Sequence, residues 1–179
     1  MKAEEIKDEE SLKAWLTPRS RENAIAIAVR AALRVFPLVG RGWHGKAENP
    51  VDSTVIHVLW ALVVAGAARR FFAQDVRYSA FSSAFSRPAF YKDDDERTLA
   101  AAGSATAAFN AAQVVGAANE HFHDAAVSAS VGGHAEAFAA NAIQSPAIDF
   151  SWQEFCSDAR LLDRGEDPFT APLWSTAPP

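Results

Sequence analysis

The sequence predicts an all-α fold: a compact, alanine-rich helical bundle with a central apolar helix and a proline-rich C-terminal tail. Three observations lead there. About a fifth of the 179 residues are alanine, the residue of highest intrinsic helix propensity. Apolar residues recur at three- and four-residue spacing, as in Ile25, Val29, Ala32 and Phe36, which is the period of a helix with one buried face. No alternating run of β-branched residues is long enough to demand a sheet. Hydrophobic residues make up 49% of the chain and charged residues 22%, the balance of an ordinary globular protein. The length suits one domain, residues 1–166, followed by a tail or linker over 167–179.

The elements follow in order. Leu12, Trp15 and Leu16 form the apolar face of a short helix after an acidic start. Thr17-Pro18 then reads as an N-cap followed by proline at the first helical position, opening a helix that runs to about Phe36, where Pro37 stops it. Asn23, Arg30 and Arg34 make a second, more polar stripe on that helix. Gly40, Gly42, Gly45 and Pro50 make residues 39–50 a loop. Val55 to Ala68 is apolar on every side, the mark of a helix surrounded by others. Ile56, Leu59, Trp60, Val63 and Val64 are therefore expected to be buried, and Leu59→Ala to cost about 2–5 kcal/mol.

A further helical stretch covers Asp75 to Ser86. Pro88 begins a break, and Asp93 to Glu96 suit a helix start, where carboxylates meet the positive end of the dipole. The chain is then alanine-rich to about Ser130. Gly132-Gly133 interrupts it, and a short helix spans His134 to about Ala142. After Ser145-Pro146, Ser151-Trp152-Gln153-Glu154 has the pattern of a capping box, and Gly165 suits the stop after the last turn. Trp152, Phe155, Ala159 and Leu162 supply that helix with its apolar stripe. The tail carries four prolines, and Phe169, Leu173 and Trp174 are available to pin it to the body.

Charge and cysteine usage narrow the function classes. The net charge is −5 and the isoelectric point about 5.5, which argues against a dedicated nucleic-acid binder with its basic face. Cys156 is the single cysteine, so neither an intrachain disulfide nor a cysteine-pair zinc site can form. A reducing cytoplasm fits. The acidic N-terminus lacks the apolar stretch of a secretory signal. Ser53–Ala68 is shorter than the roughly 20 apolar residues of a spanning helix, and Thr98–Asn119 is only weakly hydrophobic, so a membrane role is disfavoured.

Ser11-Leu12-Lys13-Ala14-Trp15-Leu16, Arg19, and Ala24 to Pro37 resemble the opening of a group of uncharacterised, alanine-rich helical proteins, mainly of alphaproteobacteria. The likeness returns near the C-terminus in Trp152, Asp158-Ala159-Arg160, Leu162, Gly165 and Pro172-Leu173-Trp174. The group's members continue past the Pro-Leu-Trp motif into a tryptophan-rich region that is not present in this sequence. The resemblance implies a helical fold and no established activity, so it assigns no catalytic residue.

The candidate chemistry is sparse. Glu120 and His123 have the Glu-x-x-His spacing of carboxylate-bridged di-metal sites in bundles, but such a site needs a second pair and further inward carboxylates. No second pair occurs, so Glu120 and His123 remain weak metal candidates beside a solvated patch. His57 sits inside the most apolar helix, where a core histidine with one hydrogen-bond partner is the simpler account. Cys156 falls on an apolar face and reads as a small core hydrophobe. Gly40 to Lys46 is glycine-rich and basic but lacks the Gly-x-x-x-x-Gly-Lys-Ser/Thr spacing of a phosphate loop; a surface loop remains. Arg30 and Arg34 share a face and could pair with the acids of residues 4–10 or with an acidic partner. Asp93–Glu96 lacks the ligand spacing of a metal loop.

The reading that results is a non-enzymatic domain that binds a protein partner or itself, with no catalytic residue and no cofactor. Alanine-rich helices bury little area per residue, so a partner would add apolar burial. Two surfaces offer themselves: the smooth face through Ala101, Ala105, Ala108 and Ala112, and the tail residues Leu173 and Trp174. The alternatives are a metal-dependent helical enzyme built on Glu120 and His123, and a membrane-active protein exposing Ser53–Ala68.

Overall fold

The computed structural model describes residues 1–36, 59–67, 108–115, 122–127 and 146–173. Helix dominates them and no strand occurs among them, as the composition and periodicity predict. The helices are α1 (Glu9–Leu16), α2 (Arg21–Val35), α3 (residues 59–67), α4 (residues 108–115), α5 (Phe122–Val127) and α6 (Pro146–Asp163). Short 3₁₀ turns, Ala3–Glu5 and Pro168–Thr170, flank the series.

α1 begins on a reciprocal cap. Ser11 N–H donates to Asp8 Oδ1 at 2.8 Å and Asp8 N–H donates to Ser11 Oγ at 3.0 Å, which satisfies two of the donors that a helix start leaves open. The Ser11 hydrogen bonds hold the Asp8 carboxyl below its ordinary value. The helix buries Leu12, Trp15 and Leu16, the face expected from the sequence.

The Thr17-Pro18 start is corrected. Thr17 ends α1: its backbone is helical, and its hydroxyl donates to Lys13 O at 2.8 Å. Ser20, with extended backbone, precedes the first residue of α2. The pattern misleads because a threonine hydroxyl closes the last turn of one helix as readily as it opens the next.

The central helix is α2. Ala24 to Ala32 are buried without exception, as are Arg34 and Val35. The residues of α3 divide instead into two faces. Ala61, Leu62, Val64 and Ala65 join the core, while Leu59 is 42%, Trp60 55% and Val63 59% exposed. The expected burial of Leu59, Trp60 and Val63 is therefore overturned, and that of Val64 is met; Ile56 lies outside the described residues. Hydropathy ranks the two helices the wrong way round because α2 carries two buried arginines, Arg30 and Arg34, whose charges are neutralised inside the fold.

α2 packs against α5 and α6, α1 against α5, and the two 3₁₀ turns against α6. One continuous apolar cluster draws on all six described helices. The largest fully buried side chains among the described residues, Trp15, Phe155, Leu12, Leu16, Ile25 and Ile27, come from α1, α2 and α6. α4 contributes mostly small ones. Ala108 and Ala112 are fully buried there, and alanine lets helices approach toward the short end of the usual ~8–10 Å range.

α6 starts at Pro146, not at the Ser151 capping pattern. Proline suits a first turn because its missing N–H would have no partner there. Glu154 is consequently mid-helix and turned inward. The C-terminal stop is as predicted: Gly165, at φ +72°, follows the last turn in the left-handed conformation. Its N–H donates to Leu162 O at 3.0 Å, and that of Glu166 to Leu161 O at 2.9 Å, the Schellman pattern.

Candidate functional site

The most concentrated chemistry in the described structure is a buried ionic network between α2 and α6. Arg30 and Arg34 lie one turn apart on α2, and Glu154 and Asp158 one turn apart on α6, so each helix turns a matched pair of charges toward the other. All four are at most 3% exposed. Arg30 Nε donates to Asp158 Oδ1 at 2.8 Å, and Arg34 Nη2 donates to the same oxygen at 2.9 Å. Arg34 Nη1 stands 2.7 Å from Asp158 Oδ2, and Arg34 Nη2 3.5 Å from Glu154 Oε2. Two positive and two negative groups balance, which is what makes burial of charge tolerable. Burial pulls the Arg30 guanidinium below its ordinary value, with Asp158 opposing the shift.

The arginines also hold the segment after α6. Arg30 Nη1 donates to Pro168 O at 2.5 Å and to Ala171 O at 3.3 Å, and Arg30 Nη2 to Pro172 O at 2.6 Å. Arg34 Nε donates to Leu173 O at 2.9 Å. Five planar donors per guanidinium make this division of labour feasible. The expected pairing of Arg30 and Arg34 with the acids of residues 4–10 is thus corrected: their partners among the described residues include Asp158, Glu154 and four main-chain carbonyls. The acid pair is visible in the sequence as an i, i+4 repeat, but the capping-box pattern around Glu154 masks it. The chain stretches near the two ends that carry the sequence resemblance, around Arg30–Arg34 and Asp158–Leu173, meet at this network.

A second clamp closes the last turn of α6, at Asp163. Arg19 Nη2 donates to Asp163 Oδ1 at 2.6 Å, its guanidinium stacks 3.8 Å from the Trp15 ring, and Arg19 Nη1 donates to Trp15 O. Trp15 Nε1 also donates to Asp163 Oδ2 at 3.5 Å.

Beside α6 lies an open cleft of about 420 Å³, lined by Glu4, Ile6, Lys7, Trp152, Gln153, Cys156 and Arg160. Cys156 is 8% exposed and its thiol donates to Ile6 O at 3.0 Å. Burial pushes that thiol above its ordinary value, which keeps it protonated near neutrality and weak as a nucleophile.

The remaining residues singled out by their sequence pattern are placed as follows. His123 Nε2 lies 3.3 Å from Arg19 O. Its motif partner Glu120 lies outside the described residues, as do His57 and the Gly40–Lys46 loop. Among the described residues no group of three or more His, Cys, Asp or Glu side chains is placed to hold a metal. Of the expected smooth face, Ala108 and Ala112 are covered by the chain's own core, and Ala101 and Ala105 lie outside the described residues. Leu173 is half-buried and held through its carbonyl; Trp174 lies outside the described residues. No helix among the described residues is long and apolar enough to cross a membrane. Comparison of the chain with protein-family models, curated proteins and solved structures gave no match.

Chemically, the network is closed. Its carboxylates are engaged by guanidiniums, and its side chains are nearly absent from the surface, so it offers no substrate a path. What it can do is fix α2, α6 and the C-terminal segment to one another.

Proposed function

We propose that this protein is a non-enzymatic, cytoplasmic helical domain that associates with a second copy of itself through α3. The observation that carries this reading is the bare apolar face formed by Leu59, Trp60 and Val63. Residues 59 and 63 are one helical turn apart and 60 and 63 nearly so, which places all three on one side. The stretch from Ser53 to Ala68 contains no Asp, Glu, Lys or Arg, so a complementary surface must itself be uncharged. A two-fold axis supplies one at once, by setting this face against its own copy. Trp60 is then the natural anchor, since tryptophan dominates binding hot spots.

Sedimentation equilibrium of the wild type and of Trp60→Glu tests the reading. A wild-type dimer that the substitution converts to monomer supports it. A wild type that stays monomeric at hundreds of micromolar overturns it.

A further inference from the structure

Asp167 to Leu173 form a strap across α2 and α6. Four strap carbonyls, those of Pro168, Ala171, Pro172 and Leu173, accept from Arg30 and Arg34. Pro168 is the only buried strap residue; Phe169, Thr170 and Pro172 are exposed. The clasp therefore reads the main chain more than the side chains. The strap also keeps its own turn: Phe169 N–H donates to Asp167 Oδ1 at 3.0 Å, and the Thr170 hydroxyl to Asp167 O at 2.7 Å. The arginines are meanwhile aimed by Asp158, with Glu154 beside Arg34, and these belong to α6 and not to the strap. The receptor and its guest are thus each organised by contacts of their own.

We propose that this clasp is a segment-binding site that accepts Asp167–Leu173 in trans, from a second copy of the chain, as well as in cis. The seated guest is the chain's own segment, and its contacts with the clasp are the same whichever copy supplies it. The joint to the body is short. The Schellman stop ends at Glu166, and Asp167 already has the extended φ of −80° and ψ of 112° that leads into the strap. Short joints of this kind favour exchange of an element between protomers, a route to dimers that needs no new contact. This association does not depend on the apolar face of α3.

The experiment uses full-length protein carrying Trp60→Glu, so that α3 contributes nothing. The protein is annealed at high concentration, then diluted and followed by size-exclusion chromatography with light scattering. A dimer that decays slowly to monomer on dilution is expected. Annealing with excess synthetic peptide of residues 167–179 should suppress it. A peptide whose Pro172–Leu173 amide is replaced by an ester has a weaker acceptor at Pro172 O, and should suppress it about tenfold less effectively, since a hydrogen bond to a charged group is at stake. Absence of any dimer overturns the proposal, even if the peptide binds. A dimer indifferent to the peptide overturns it too. Equal potency of ester and amide overturns the main-chain reading.

Discussion

Asp158 joins the two arginines of the buried network: both of its oxygens face guanidiniums, and it pairs with Arg30 and with Arg34. Asp158→Ala leaves Arg30 and Arg34 buried with too little compensating charge. Removing one partner of such a set typically costs about 3–5 kcal/mol, and chemical denaturation of the variant should read a loss of that size. Cys156 makes a different, pH-dependent contribution. In the unfolded chain its thiol ionises near the free value of about 8.5, whereas burial raises it in the fold. The unfolded state therefore releases its proton first, and the thiol's contribution to stability is intact below that value and lost as pH rises through the folded one. Urea midpoints measured from pH 7 to 10 should fall more steeply for the wild type than for Cys156→Ala. Parallel curves would show that the thiol is not desolvated.

The elements show which sequence signals survive folding. The apolar stripe of α1, the Gly165 stop and the approximate end of α2 near Phe36 are legible because each rests on local chemistry. Gly165 adopts φ +72° with nothing within 4 Å of where a Cβ would sit. Gly165→Ala should accordingly cost about 1–2 kcal/mol from backbone strain alone, read as a lowered midpoint without loss of helical signal. The role of α2 is not legible, because Arg30 and Arg34 mark it as half polar until Glu154 and Asp158, over a hundred residues away, are brought against it. The same non-locality hides the strap: no periodicity announces that backbone carbonyls will be used as ligands. α3 misleads the other way, since an unbroken apolar run cannot say which of its faces the rest of the chain will cover. The structure separates those faces sharply. Leu62, 5% exposed, should cost about 2–5 kcal/mol as Leu62→Ala, whereas Leu59, 42% exposed, should cost under about 1 kcal/mol as Leu59→Ala. Thermal or urea denaturation of the pair checks the contrast, and equal losses would place Leu59 in the core after all.

At the scale of the whole molecule, the bulky apolar side chains are unevenly spent. Trp15 and Phe155 are sealed, and α4 contributes mainly alanine and valine to the interior. Yet Trp60, as large as Trp15, stands 55% exposed between Leu59 and Val63. An outward tryptophan flanked by two aliphatic residues is apolar surface withheld from the chain's own core, and such patches mark contacts with another molecule. Covering it gains roughly 25 cal/mol for each Å² removed from water, before the cost of association. Trp60→Glu reverses the sign of that term by placing a charge at the contact, and should remove the dimer over the concentration range in which the wild type forms it. Because Trp60 is exposed in the single chain, the substitution should leave monomer stability within about 0.5 kcal/mol of wild type. Sedimentation and urea denaturation of the same preparation separate the two effects. Loss of the dimer with an unchanged monomer is the expected result; a comparable loss of monomer stability would mean that Trp60 serves the fold and not an interface.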